Sequence, residues 1–137
     1  MPDKASVVRP KFTNIHISQI LQYRLPLAAI VSILHRVSGA VNFLFGIPLV
    51  LYMFGLSLTS ELSFVQLQEF TGHWALKIIL LGFIWSICHH FFCGIRYLAL
   101  DMHKGLEKGQ AKTSATMVFA ASLIATAFFG LKLFGAF

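Results

Sequence analysis

The chain is polar for roughly its first two dozen residues and then turns apolar three times. The apolar runs cover residues 27–56, 74–100 and 114–134. Each reaches the ~20 residues that a helix needs to cross the hydrocarbon core of a bilayer. The pattern predicts an all-α integral membrane protein with three transmembrane helices, forming one membrane domain over residues 1–137 behind a lead-in at 1–26. Within the first run, Pro48 removes a backbone donor and should bend the helix. Gly39 and Gly46 are small enough to let another helix approach. Ala120, Ala121, Ala125 and Gly130 offer the same opportunity on the third run. In the loop at 57–73, Ser63 and Gln66 have capping-box spacing, which predicts a short interfacial helix. Gly105 and Gly109 are expected to keep the segment at 101–113 non-helical. Pro2 and Pro10 interrupt the lead-in, where Ile15, Ile17, Ile20, Leu21 and Tyr23 can lie along the interface.

Composition agrees with a lipid environment. Of the 137 residues 57% are hydrophobic and only 12% charged, and the mean hydropathy is +0.76. A soluble domain this small has too much surface relative to its core to hide that many apolar side chains. The net charge of +6 is not a nucleic-acid footprint, because the basic residues lie between apolar runs rather than on an interleaved polar face. It sets orientation instead. Lys4, Arg9, Lys11 and Arg24 precede the first run, and Lys104, Lys108 and Lys112 separate the second from the third. The loop at 57–73 carries Glu61 and Glu69 and no Lys or Arg. The positive-inside tendency then puts the N-terminus in the cytoplasm and the C-terminus outside. Trp74 suits the outer aromatic belt, and the Lys77 stem can reach the headgroups. The first two dozen residues lack the apolar core of a cleavable signal, so a bacterial inner membrane is expected rather than the mitochondrial one. Cys88 and Cys93, five apart on one helix, point in different directions and should remain free thiols.

Two clusters of ionisable residues interrupt this apolar background. The first is Ser32, His35 and Arg36 near the inner end of span one. A charged side chain at a helix centre costs from about 2.5 to more than 10 kcal/mol and usually has a partner, a cofactor or a water-filled cavity. Ser32 and Arg36 share a helix face. Together with His35 they offer a hydroxyl, an imidazole and a guanidinium at one depth, suited to a carbonyl oxygen and a carboxylate. The alternative is that His35 and Arg36 snorkel to phosphate headgroups. The second cluster is His89-His90-Phe91-Phe92-Cys93-Gly94-Ile95-Arg96. His90 lies roughly 15 Å from the inner end of span two, deep enough to ligate haem iron or to bond to another helix. His89 points about 100° away, onto a face crowded by Trp85 and Cys93, whereas Gly94 leaves a flat patch beside His90 on which a porphyrin can lie. His90 is therefore the preferred ligand. No Cys-x-x-Cys-His is present, so a haem would be bound non-covalently. One such histidine leaves the second axial position to a partner chain. Arg96 is a further cation for a propionate or a phosphate. His16, His73 and His103 read as solvated.

These motifs resemble those of the cytochrome b556 subunits of succinate dehydrogenase, the larger membrane anchors of respiratory complex II. The resemblance covers nearly the whole chain: Arg9-Pro10, then Ser32-x-x-His35-Arg36-x-Ser38-Gly39, then His90-x-x-x-Gly94-Ile95-Arg96 and Asp101. Tyr97 stands where many members have histidine or phenylalanine. The resemblance implies that His90 is one axial ligand of haem b and that the smaller anchor subunit supplies the other. It implies a ubiquinone pocket including Ser32 and Arg36, and haem propionates contacted by His35 and Arg36. The flavoprotein and iron–sulfur subunits would dock on the cytoplasmic face, and the succinate-oxidising site would lie outside this chain. Other roles consistent with the residues are a menaquinol-linked fumarate reductase anchor, a haem-free structural anchor, and a small transporter or assembly subunit.

Overall fold

A computed structural model describes residues 16–136. Arg9-Pro10 and most of the expected lead-in lie outside the described residues. The described chain is helical without strands: α1 (Ile17–Gln22), α2 (Leu27–Val41), a π-helical turn (Asn42–Gly46), α3 (Ile47–Thr59), α4 (Glu61–Gly72), α5 (Trp74–Asp101) and α6 (Lys108–Leu133). Three helical stretches are long and apolar enough to cross a membrane: Leu27–Thr59, Trp74–Asp101 and Lys108–Leu133. At 1.5 Å per residue even the shortest reaches roughly 39 Å, so each exceeds the ~30 Å hydrocarbon core and must tilt or protrude.

Pro48 acts within a continuous helical run. It stands in the first turn of α3, and the five residues before that helix adopt the wider π geometry. A proline ring clashes with the carbonyl four residues back and supplies no N–H; a π turn is one way for the ladder to absorb that. Two expectations about helix ends need correction. The helix in the first loop exists, but its N-cap is Ser60 and not Ser63. Ser63 N–H donates to Ser60 Oγ at 3.1 Å, and Ser60 N–H donates to Ser63 Oγ at 3.0 Å. The Ser63 hydroxyl replaces the longer Glu or Gln of the usual box, so the motif was displaced by one turn. Gly109 does not break a helix, for it lies inside the first turn of α6. There the backbone N–H groups have no intrahelical acceptor in any case, so glycine disrupts little.

Both later spans end in the same way. His103 N–H donates to the Leu100 carbonyl (2.9 Å) and Lys104 N–H to that of Ala99 (3.0 Å). Gly135 and Ala136 repeat the pattern on Lys132 and Leu131. These are Schellman caps, with the left-handed position filled by His103 (φ 59°) after α5 and by Gly135 (φ 78°) after α6. The start of α5 and the end of α6 are also linked, because the Lys77 ammonium sits 5.7 Å from the Phe134 ring rather than only reaching for headgroups.

In lipid, apolar surface gives helices little reason to associate, so packing relies on small residues and interhelical hydrogen bonds. α5 is the central element, packed on both α2 and α6. Where the start of α2, the end of α5 and the start of α6 meet, the bundle has a core of Val31, Cys93, Ala115 and Val118, with Phe92, Tyr97 and Phe119 against it. Gly39 meets the His90 ring, Gly46 the Phe83 ring and Gly130 the Leu81 side chain. Ala120 is exposed and does not join this packing. Cys88 and Cys93 are buried free thiols. α3 packs on α4 and buries none of its own residues, leaving one side of span one uncovered by the described residues.

The Ser60 cap yields a test. Ser60→Ala should cost about 1 kcal/mol of local helix stability. Hydrogen exchange should then speed up at the amides of the first turn of α4 while α5 is unchanged; equal exchange rates in α4 would show that packing on α3, not the cap, holds the helix end.

Candidate functional site

The site lies where α2 and α5 cross at Gly39. A Cβ added to Gly39 would stand 2.8 Å from His90 Cε1, so the imidazole occupies space that any side chain at position 39 would fill. His90 is partly buried and stacks on His35, with centroids 4.2 Å apart and planes 9° from parallel. The Tyr97 ring lies 5.1 Å from His35 on another side. The flat patch expected over Gly94 is faced by His35: a Cβ on Gly94 would lie 4.0 Å from His35 Nε2.

His90 Nδ1 faces two oxygens, the His35 carbonyl at 3.1 Å and Ser38 Oγ at 3.3 Å. Ser38 Oγ itself donates to the same carbonyl at 3.0 Å. A carbonyl oxygen can only accept, so Nδ1 carries the proton and Nε2 keeps its lone pair. Nε2 has no hydrogen-bond partner among the described residues. Ser86, four residues before His90, donates from Oγ to the Ser38 carbonyl at 3.4 Å. Ser38 and Ser86 are both buried. Thus α5 places two polar side chains on one short stretch of α2 backbone.

His89 has the opposite environment. It is fully buried, stacked on Trp85 (5.2 Å) and tilted against Phe119 (5.5 Å). Neither ring nitrogen makes a well-formed hydrogen bond, although the Val31 backbone lies close to the ring. The crowding expected from Trp85 is present. An imidazole closed in on these sides has no room for a large planar ligand, whereas the His90 ring edge is open.

Ser32 is half-buried and Arg36 exposed. Arg36 makes no hydrogen bond or ion pair among the described residues, leaving its guanidinium available to something outside the chain. Arg96 does not join the histidine pair. Its Nε donates to Ser114 Oγ on α6 at 3.0 Å, and its guanidinium carbon lies 5.6 Å from the Tyr97 ring, which touches His35. Sequence reasoning gave no role to Ser86. Its position one turn before His90 was the available signal, since residues four apart share a helix face. Ser38 was visible only as part of a motif.

The fold and site define a three-span membrane protein with an imidazole held open between its first two spans. Residues 13–129 match the family described as succinate dehydrogenase/fumarate reductase transmembrane subunit, and the chain belongs to that family. Among its relatives is the succinate dehydrogenase cytochrome b556 subunit of Paracoccus denitrificans, 36% identical over 102 residues, which are 74% of this chain and 78% of the relative. The subunit of the same name from Coxiella burnetii is 33% identical over 114 residues, 82% of this chain and 90% of the relative.

The contact at Gly39 can be tested against Gly46, where an added Cβ would make an ordinary 3.5 Å contact with Phe83. Gly39→Ala should lower stability by about 1–3 kcal/mol through overpacking, and Gly46→Ala should change it little. Melting temperatures of the two variants should differ accordingly; equal values would mean that the His90 ring yields without cost.

Proposed function

We propose that this chain is a membrane-anchor subunit of a succinate:ubiquinone oxidoreductase. In this reading it holds one face of a haem b through His90 and contributes Ser32 and Arg36 to the site of ubiquinone reduction. The observation that carries it is the state of His90. A bond from Nδ1–H to a backbone carbonyl fixes the tautomer and the ring direction and leaves Nε2 as a metal-ligating lone pair. Metal-binding histidines are commonly supported in this way. The family membership and the names of the two relatives point to the same cofactor. When bound, haem supplies a one-electron centre within the membrane. This chain offers a single such imidazole at the site, so the second axial ligand comes from the smaller anchor subunit. His35, stacked on His90, and Arg36 beside it are the groups for the propionates.

Ubiquinone reduction consumes two electrons and two protons. Electrons released from succinate in the flavoprotein subunit reach the quinone from the iron–sulfur subunit, and the succinate site lies outside this chain. Arg36 can donate to a quinone oxygen and lower the cost of negative charge developing there. Ser32, one turn earlier on the same face, supplies a hydroxyl donor. Their place near the start of α2 lets the protons come from water on the lysine-rich side, which the positive-inside tendency assigns to the cytoplasm of a bacterial inner membrane. A menaquinol-linked fumarate reductase anchor is the second reading, favoured by a family description that covers both enzymes. The residue roles are the same and the direction of electron flow differs.

In the complex purified from its native membrane, succinate should reduce a b-type chromophore in the reduced-minus-oxidised absorption spectrum. His90→Ala should abolish or shift that signal; an unaltered spectrum would move the ligand to His89 or another residue. Arg36→Ala should slow quinone reduction roughly tenfold to 100-fold, within or below the range for loss of an oxyanion donor, with succinate oxidation by an artificial acceptor retained. Unchanged quinone turnover would remove Arg36 from the site.

A further inference from the structure

On the side of α5 that faces α6, a second site lies at the lysine-rich end of the bundle. A cleft of about 380 Å³ opens between the two helices, within the ~300–1,000 Å³ range of small-molecule pockets. Its accessible lining is almost wholly apolar, with the few polar groups gathered at one end. Arg96, Lys104 and Ser114 stand towards the loop, and Phe92, Met117 and Ala121 extend inward. Ser114 and Ala121 are separated by seven residues of α6, about 10 Å of depth. Arg96 is only 9% exposed. Its Nε is bound to Ser114, but its terminal nitrogens have no hydrogen bond or ion pair among the described residues. A nearly buried guanidinium without an anionic partner is costly in a membrane protein unless an anion reaches it. The Schellman cap at His103 positions Lys104 on the rim of the same cleft.

We infer that this cleft binds an anionic phospholipid, with its phosphate between Arg96 and Lys104 and an acyl chain along Phe92, Met117 and Ala121. Two cations at the interface end match the charge of the headgroup, and basic pockets between spans on the cytoplasmic side are suited to such headgroups. The apolar inner part of the cleft matches a hydrocarbon chain, which a free phosphate lacks. The inference requires that the chain spans a membrane and does not depend on the haem or quinone roles proposed above.

The test uses the complex purified in mild detergent and a phosphatidylglycerol probe with a photoactivatable group on one acyl chain. After irradiation, peptide mass spectrometry should place the cross-links on α5 and α6 within 92–100 and 114–121. A phosphatidylcholine probe with the same chain should label these peptides several-fold less, and inorganic phosphate should not compete. Lys104→Gln, an exposed position, should reduce labelling by phosphatidylglycerol several-fold, as should Arg96→Gln. If Arg96→Gln prevents assembly, Lys104→Gln decides the matter. Equal labelling by both probes, or labelling unaffected by Lys104→Gln, overturns the inference in favour of non-specific lipid contact. Competition by phosphate overturns it in favour of a free-anion site. Absence of label from either probe overturns it in favour of a cleft filled by another subunit.

Discussion

The bond from His90 Nδ1 to the carbonyl of His35 ties the rest of the site together. As a contribution to stability it is small: interhelical hydrogen bonds in membranes average about 0.6 kcal/mol. Its effect is geometric. It sets the tautomer of His90, stacks that ring on His35 and requires a position 39 without a side chain. Ser38 and Ser86 reinforce the contact through the same stretch of α2 backbone. With apolar attraction between helices weak in lipid, these few polar contacts and glycine notches give α2 and α5 a defined register.

The sequence revealed the spans because length and hydropathy decide them. The C-terminal end of span one moved from 56 to Thr59, and α6 begins at Lys108 rather than 114. Hydropathy reports where lipid-facing residues begin, whereas a helix continues until its backbone is capped. For that reason the polar first turns of α6 were missed and Gly109 was misread as a breaker. The crowding of His89 was legible from Trp85, four residues away, a local signal that helical periodicity transmits. The stacking of His35 on His90 was not legible, because it depends on how two distant helices meet. The placement of Arg96 toward α6 was hidden for the same reason. Nothing in its spacing identifies Ser114 as its partner.

The three spans are unequally enclosed by their own chain. Within the most apolar window of each span, 6% of the first, 17% of the second and 22% of the third is buried. The first span also carries Ser32, Arg36 and the exposed apolar side of α3. Much of its surface is therefore left uncovered by the described residues. The α5–α6 side is the better packed, and there the chain itself builds a cleft.

The acceptor that orients His90 belongs to the main chain. No amino-acid replacement at position 35 deletes a backbone carbonyl, so the tautomer of the neighbouring imidazole is insulated from the identity of the side chain stacked on it. A saturation library at position 35 would alter the stacking on His90 while the oxygen facing His90 remained. Disorder of that oxygen requires a shift of α2 itself, by a bulky residue at 39 or a change in helical phase upstream of Pro48. Genetic variation in this region should thus divide into changes that tune the pocket and changes that displace a helix, with few intermediates.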